Sequence, residues 1–477
     1  MGSNSHLQTL SNPTTLVIFG ASGNLAQIKL FPALYELLAY GHLPERLSIV
    51  AIFRQSSAAL DTVMSQVEVT MLRQHRECDP AILARLKSLI RPIIMDSTNQ
   101  EDYYRLRDML DGIDHEFSVA HQRIFYLAIP PSIFKPVIAC LGAAELNKEY
   151  DGVARRIFIE KPFGSDLASA RDLIDSIKTH FEEHQIYRID HYLAKETVQN
   201  ILTFRFQNPL IRSIWNRDGI DYIHIRALEK IDIEGRSDFY ESLGALRDLL
   251  QSHLLQLMAL IMMDAPTAME SHAIHEQKNA LLGAIKLPTE PIDEFANRGQ
   301  YEGYREEVNN PESQVETYAI VKLGVDLPEC HGVPVVLETG KALDHKDTSI
   351  EVVFRDRHNI DSGRNTLTIH VQPDEGIELQ LTAKSPGFGY ETRPVSMNFS
   401  YNTAFEGKNP EAYERVLFDA IAGDQTLFST SAEVLACWEI LEPIIQTWRN
   451  HNSIPESYTK GSEGPVGGIG IRKSVTT

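Results

Sequence analysis

The first part of the chain alternates short, unbroken apolar runs with stretches in which apolar residues recur every three or four positions. Unbroken runs of this kind read as strands buried on both faces, as in a parallel sheet. Residues 15–19 (TLVIF), 48–53 (SIVAIF), 91–95 (RPIIM), 123–128 (RIFYLA) and 156–160 (RIFIE) fit that description. Leu30, Ala33, Leu34, Leu37 and Leu38 place a helix soon after the first of them. Near residue 187 this alternation stops. One more strand is predicted over 221–228, then a helix over 244–263 (GALRDLLQSHLLQLMALIMM) that is apolar nearly all round and so should be buried. Residues 290–316 are polar and read as a mobile connection. Strands dominate afterwards, over 316–325, 333–339, 349–354, 366–372, 377–384 and 395–401. Long alternating strands without helices between them imply an antiparallel sheet. Helices are predicted over 412–418 and 432–448. The expected architecture is α/β: a Rossmann-type dinucleotide-binding domain over 14–187, then an α+β domain over 188–468 with a large, mainly antiparallel sheet. A length of 477 residues suits two domains of ordinary size.

Composition narrows the function classes. Apolar content of 43% and charged content of 23% are those of a soluble globular chain. A net charge of −20 argues against nucleic-acid and membrane-surface partners. It also works against long-range steering of anions, so a phosphorylated ligand must be met by a local basic cluster. Cys78, Cys140, Cys330 and Cys437 are scattered without metal-ligand spacing, which fits a reducing cytoplasm and no metal site. Stretch 1–13 is polar and lacks an apolar signal region, and no run approaches a membrane span.

Candidate chemistry begins with Gly20-Ala21-Ser22-Gly23-Asn24-Leu25-Ala26, between the first strand and its helix. Glycines there let backbone N–H groups approach a pyrophosphate, and a helix N-terminus adds favourable partial charge. The spacing is Gly-x-x-Gly-x-x-Ala, not the full three-glycine fingerprint, and many helices follow a glycine turn; the strand–turn–helix context is what points to a dinucleotide. Arg54 ends the second strand where NAD binders carry an acid. A guanidinium favours a 2′-phosphate, hence NADP, although surface arginines at strand ends are common. Lys161 ends the 156–160 strand and precedes Pro162, on the sheet edge where open α/β folds bind ligands. A surface lysine before a turn is the alternative.

The second cluster is Arg188-Ile189-Asp190-His191-Tyr192-Leu193-Ala194-Lys195-Glu196. If Asp190 ends a strand and the chain is helical from Tyr192, His191 and Lys195 lie four apart and share a face. With the Tyr192 hydroxyl they suit a phosphate dianion. Asp190 would repel that ligand and should point elsewhere, at a histidine for instance. A solvated helix start capped by Asp190 fits these residues equally well. Asp248 and His253 are the polar anomalies of the apolar helix. A lone histidine on such a stripe is usually a satisfied core residue. The two are five residues apart, about 140° round an α-helix. Glu229 ends the 221–228 strand and is either an acceptor for sugar hydroxyls or a salt-bridged strand end. Lys341 and Lys346 lie between two strands and supply local positive charge, or belong to a solvated loop.

RIDHYLAKE strongly resembles the RIDHYLGKE signature of glucose-6-phosphate dehydrogenases, with Ala194 in place of Gly. EKPFG at 160–164 resembles that family and the wider glucose-fructose oxidoreductase class. Arg247-Asp248 to His253 is similar to the family's RDxxQNH, with Ser252 for Asn; Gly340-Lys341 to Lys346 matches GKxLxxK. Gln372-Pro373, AYERVLFDAIAGDQTLF at 412–428 and the tail over 458–465 also resemble it, whereas Leu327 to His331 departs from its usual RWAG. The family's loop is usually GASGDLA; Asn24 replaces the Asp and Gln27 a common Lys, which leaves NAD use open beside NADP.

The resemblance runs from about residue 15 to 468. It implies oxidation of D-glucose 6-phosphate at C1 to the 6-phosphogluconolactone, with hydride passing to NADP⁺. It implies Asp190 and His253 as a catalytic dyad, and Gly20 to Leu25, Arg54, Asp96, Ser97 and Lys161 at the cofactor. Lys161, His191, Tyr192, Lys195, Glu229, Asp248, Lys341 and Lys346 would contact the substrate. A cytoplasmic homo-oligomer, dimer or tetramer, is expected. A dehydrogenase of another sugar and a non-catalytic sugar-phosphate binder are the alternatives.

Overall fold

The computed structural model describes residues 10–55, 59–74, 76–356, 364–404, 409–450 and 454–476; most of the polar N-terminal stretch lies outside them. The described residues belong to two compact units. One comprises Met1–Gly164, Ala168–Ala194 and Pro410–Ser431, the other Ser165–Leu167, Lys195–Asn409 and Ala432–Thr477. The units interleave along the chain, whereas the division expected from sequence is a single cut at 187/188.

The five early apolar runs of the first unit become parallel strands, β1 Thr14–Phe19, β2 Leu47–Phe53, β3 Ile90–Ile94, β4 Gln122–Leu127 and β5 Arg155–Ile159, and a sixth, β6 Ile186–Ile189, joins them where the alternation was expected to stop. Their order is β6-β5-β4-β1-β2-β3, with the short strand Phe428–Ser429 antiparallel on β6. This is the doubly wound order of dinucleotide-binding folds, and it reverses between β1 and β4. Every residue of β1, β2 and β4 is buried. Covering both faces explains why these strands carry no alternation. Tyr103, Leu106 and Leu110 from helix Gln100–Phe117 pack with Phe19, Val50 and Phe125 in one core.

The second unit holds β7 Ile220–Leu228, β8 Ile285–Lys286, β9 Ala296–Tyr301, β10 Tyr318–Val325, β11 Val335–Gly340, β12 Asp347–Phe354, β13 Thr366–Gln372, β14 Gly376–Lys384 and β15 Thr392–Ser400. They form one sheet in the order β15-β14-β13-β12-β7-β11-β10-β9, extended by Glu456–Tyr458, with β8 paired to β10. Only the β7–β11 and β9–Glu456–Tyr458 pairs among these are parallel. The expected mobile connection over 290–316 is corrected: it contains β9 and the short helices Ile292–Phe295 and Tyr304–Glu307. β9 was missed because its polar side chains find partners from distant parts of the chain, which hydropathy cannot register. Gln300 Nε2 donates to the Val315 carbonyl at 2.9 Å, and the Arg298 guanidinium lies 5.3 Å from the Trp448 ring centroid.

Candidate functional site

In the first unit, β1 runs straight into the glycine turn. Gly20 has φ +78°, and a Cβ there would collide with the Ala128 carbonyl oxygen just beyond β4. Only glycine suits that backbone and that approach. Gly23 N–H closes the turn on the Gly20 carbonyl at 2.8 Å. Ser22 and Asn24 are exposed, Ala21 is buried, and Gly23 and Leu25 are intermediate. The helix then passes through a π-helical turn, Ala26–Leu30, in which Phe31 N–H bonds the Ala26 carbonyl five residues back.

Arg54 is exposed just past β2, next to β3 in the sheet. Beyond β3, Asp96 accepts from the Thr98 N–H at 2.9 Å and its hydroxyl at 2.8 Å. Those bonds hold the Asp96 carboxyl below its ordinary value, and the Arg54 charge acts in the same direction. The carbonyl of Ser97 accepts from the Tyr103 hydroxyl at 2.7 Å. Lys161 is partly buried, two residues past β5, and its bond to Pro162 is cis. Beside it is a residue that sequence reasoning passed over. Glu160 accepts from the Tyr126 hydroxyl at 2.6 Å and the Tyr413 hydroxyl at 3.3 Å. Burial pushes its carboxyl up to about 7, against the two phenols and the Lys161 charge. The EKPFG string was the available signal for Glu160; its phenol partners, 34 and 253 residues away, had none.

The RIDHYLAKE stretch departs from its expected form. Residues 191–194 form turns, and the helix is Glu196–Gln207 with Lys195 at its N-cap position. The expected helix from Tyr192, with His191 and Lys195 on one helical face, is therefore not formed. Asp190 is buried and shapes the turn: its carboxylate accepts the Tyr192 N–H at 2.9 Å and its carbonyl the Leu193 N–H at 3.1 Å. Turn formation wins because an aspartate side chain competes well for nearby backbone N–H groups. Tyr192 is buried and His191 partly exposed, their rings 5.0 Å apart. Arg188 is structural: it is 1% exposed and ties β6 to Glu183 at 2.8 Å and to the Ser431 hydroxyl at 2.7 Å. Lys195, in the second unit, lies 3.9 Å from the Glu375 carboxylate.

In the second unit the expected single helix over 244–263 is broken. Helix Ser237–Ala245 kinks at Gly244 (φ 72°, ψ 173°), a π-helix spans Leu246–Leu254, and an α-helix completes Leu255–Met262. π-Helical pairing links i to i+5. Residues five apart therefore stack there as residues four apart do in an α-helix. This brings Asp248 and His253 onto one face, where α-helical spacing would have parted them. His253 is 1% exposed. Two further candidates pair with each other: Lys341, nearly fully buried, forms an ion pair with Glu229. The backbone sets this up, with Glu229 N–H on the Gly340 carbonyl at 2.8 Å and Leu343 N–H on the Glu229 carbonyl at 3.0 Å. Lys346 is exposed in the same loop.

Both parts of the chain match known families. Residues 17–200 match the model of the glucose-6-phosphate dehydrogenase NAD binding domain, and residues 202–472 that of the glucose-6-phosphate dehydrogenase C-terminal domain. The chain belongs to the glucose-6-phosphate dehydrogenase family. A glucose-6-phosphate 1-dehydrogenase of Chlamydia muridarum is 40% identical, over 95% of this chain and 94% of that protein. One from Mycolicibacterium smegmatis is 38% identical over 95% of each. Among solved structures, a glucose-6-phosphate dehydrogenase in complex with glucose 6-phosphate superposes with a TM-score of 0.91 at 29% identity, covering 100% of this chain and 99% of that one. The Mycobacterium avium glucose-6-phosphate 1-dehydrogenase gives 0.84 at 30% identity, over 97% of both chains.

The departures from the glucose-6-phosphate dehydrogenase motifs are locally accommodated. Gln27 donates from Nε2 to the Ser22 carbonyl at 2.7 Å, so it braces the glycine turn. Ser252 donates to the Asp248 carbonyl at 2.9 Å, one turn back. Asn24 is exposed at the helix start, and Ala194 is buried at the end of the turn.

Proposed function

We infer that this chain oxidises D-glucose 6-phosphate at C1 to 6-phospho-D-glucono-1,5-lactone, the first step of the oxidative pentose phosphate pathway, with NADP⁺ as acceptor. The observation that carries this is family membership through both domains, with Asp190, His191, Tyr192, Lys195 and His253 all retained. The backbone at Gly20, which no side chain can share, fits the close approach of a pyrophosphate. Gly20, Ala21, Ser22, Gly23, Asn24 and Leu25 would hold that group, Arg54 the 2′-phosphate, and Asp96, Ser97 and Lys161 other parts of the dinucleotide. When bound, the nicotinamide accepts the hydride that leaves C1.

His253 takes the proton of the C1 hydroxyl, and Asp190 is its assigned orienting partner, stabilising the imidazolium that forms. His191, Tyr192 and Lys195 hold the phosphate, whose binding energy positions C1 for transfer. Lys161, Glu229, Asp248, Lys341 and Lys346 complete the substrate contacts, with the Glu229–Lys341 pair presenting acceptor and donor together. The test is reduction of NADP⁺ by a panel of sugars and sugar phosphates. Turnover with glucose 6-phosphate above all others is expected; preference for an inositol or a free hexose would overturn the substrate, and binding without turnover the reaction.

Arg54→Ala is expected to weaken NADP⁺ by about 10–100-fold, the scale of one charge-assisted contact, while NAD⁺ changes little. Equal losses would assign Arg54 to structure. Lys195→Ala is expected to raise KM for glucose 6-phosphate about tenfold or more, well beyond its effect on free glucose. An unchanged ratio between the two substrates would remove Lys195 from the phosphate site. NAD⁺ as a second acceptor is checked in the same assays. Association of copies into a dimer or tetramer is supported by Phe388, Tyr390 and Met397, exposed at and beside the outer hairpin of β14 and β15; light scattering measures it. Cytoplasmic placement is supported by four free cysteines. No described helix is long and apolar enough to cross a membrane.

A further inference from the structure

The π-helix that carries Asp248 and His253 starts abruptly. The left-handed backbone of Gly244 interrupts the preceding helix, so the first N–H groups of the new segment have no acceptor within it. One distant residue supplies both acceptors. The main-chain oxygen of Glu316 takes the Ala245 N–H at 2.9 Å, and its carboxylate Oε1 takes the Leu246 N–H at 3.1 Å. Glu316 is buried, two residues before β10. Its carboxylate stands where a side chain at residue 244 would be: a Cβ on Gly244 would meet Oε1 at 2.5 Å and Cδ at 2.8 Å. Glycine at 244 thus serves both the kink and the seat of the carboxylate. The other charges acting on Glu316 are the guanidinium groups of Arg247 and Arg298.

The winding that follows depends on where the segment starts. At its far end, Leu255 N–H bonds the Leu250 carbonyl five residues back. α-Helical relaxation would move Asp248 and His253 about 140° apart. The extra residue per turn is thus what lets them meet one ligand, and a fixed first turn is what holds it. We propose that Glu316 is a positioning residue: its side-chain bond to the Leu246 N–H sets the register of the π-helix and thereby the joint orientation of Asp248 and His253. The proposal rests on the activity inferred above. Glu316 touches no reacting atom in it.

The experiment compares Glu316→Ala, Glu316→Gln and Gly244→Ala with the unaltered chain, each in steady-state kinetics and, for Glu316→Ala, as a crystal structure. Misplacing catalytic groups by about 1 Å can cost about 10²-fold. Glu316→Ala is expected to lower kcat by about 10–100-fold per folded molecule while KM for NADP⁺ stays unchanged. Glu316→Gln retains a side-chain oxygen for the Leu246 N–H, so its kcat is expected to stay within about threefold of the unaltered chain. Gly244→Ala displaces the carboxylate and should behave as Glu316→Ala. The Glu316→Ala crystal structure should show i→i+5 pairing lost between 246 and 254. A fall in stability with normal kcat in Glu316→Ala would overturn the proposal, as would a Gln variant as impaired as the Ala variant. If the unaltered chain itself fails to turn over glucose 6-phosphate, the inferred activity falls instead. The crystal structure then decides alone, and an intact π-helix in Glu316→Ala overturns the positioning role. Should Glu316→Ala not fold, the same decision passes to Gly244→Ala, with kcat and pairing read in that variant.

Discussion

His253→Asn is expected to lower kcat by about 10²–10⁴-fold, the usual scale for loss of a general base, with substrate binding nearly intact. His253 stands on a π-helix, 1% exposed, on the face it shares with Asp248. A core histidine would be no more than a packing group, and its replacement would reduce stability while leaving turnover per folded molecule close to normal. Measuring kcat together with thermal unfolding separates the two roles. Near-normal turnover in a well-folded His253→Asn protein would remove His253 as the base. Asp190→Asn provides the companion measurement. An orienting carboxylate predicts a large kcat loss there too, and a double variant little worse than either single one, because groups that act as a unit do not add.

Glu433→Ala is expected to destabilise the second unit by about 3–5 kcal/mol, the scale for breaking a buried ion pair from one side. Glu433, on helix Ser431–Asn450, is fully buried. It meets His275 Nδ1 at 2.7 Å and Lys278 Nζ at 2.8 Å, both from helix Ser271–Ala284. Lys278 is also 0% exposed, so the variant strands an ammonium in the interior. Burial by itself raises the Glu433 carboxyl, but Lys278 and His275 outweigh it and hold it at about 2. Its folded value thus lies below an unfolded value of about 4.3. The unfolded chain binds more protons between those values, so the stabilisation is full above about 4.3 and is lost as pH falls towards 2. Denaturant unfolding across that range should show this fall in the unaltered chain and a flatter profile in Glu433→Ala. A loss under about 1 kcal/mol would mean that water or a neighbour satisfies Lys278.

Much of the fold was legible because burial writes itself into residue type. Residues 15–19 and 48–53 are apolar without alternation, and they became β1 and β2 with every residue buried. Alternation over 366–372 became β13, whose burial also alternates. The site's chemistry was legible as spelling. Strand, glycine turn and helix are local in sequence, and Gly20 occupies the positive-φ turn that its residue type allows.

What lay beyond the sequence was decided by partners distant along the chain. Ala296 to Tyr301 alternates weakly and carries Asn297, Arg298 and Gln300, yet pairing with β10 makes it a strand. Glu229 and Lys341 were separate candidates until the β7–β11 pairing set them side by side. The turn at 191–194 depended on whether Asp190 would cap backbone N–H groups or leave them to a helix, a balance of about 1 kcal/mol that residue type does not resolve. Most of all, the angle between Asp248 and His253 followed from π rather than α winding, whose start is held by Glu316, 70 residues from Leu246. Sequence determined which groups are present and which segments are buried, because those follow from each residue's own polarity and shape. Their register and orientation came from the tertiary structure, because single hydrogen bonds to distant partners select among local conformations nearly equal in energy.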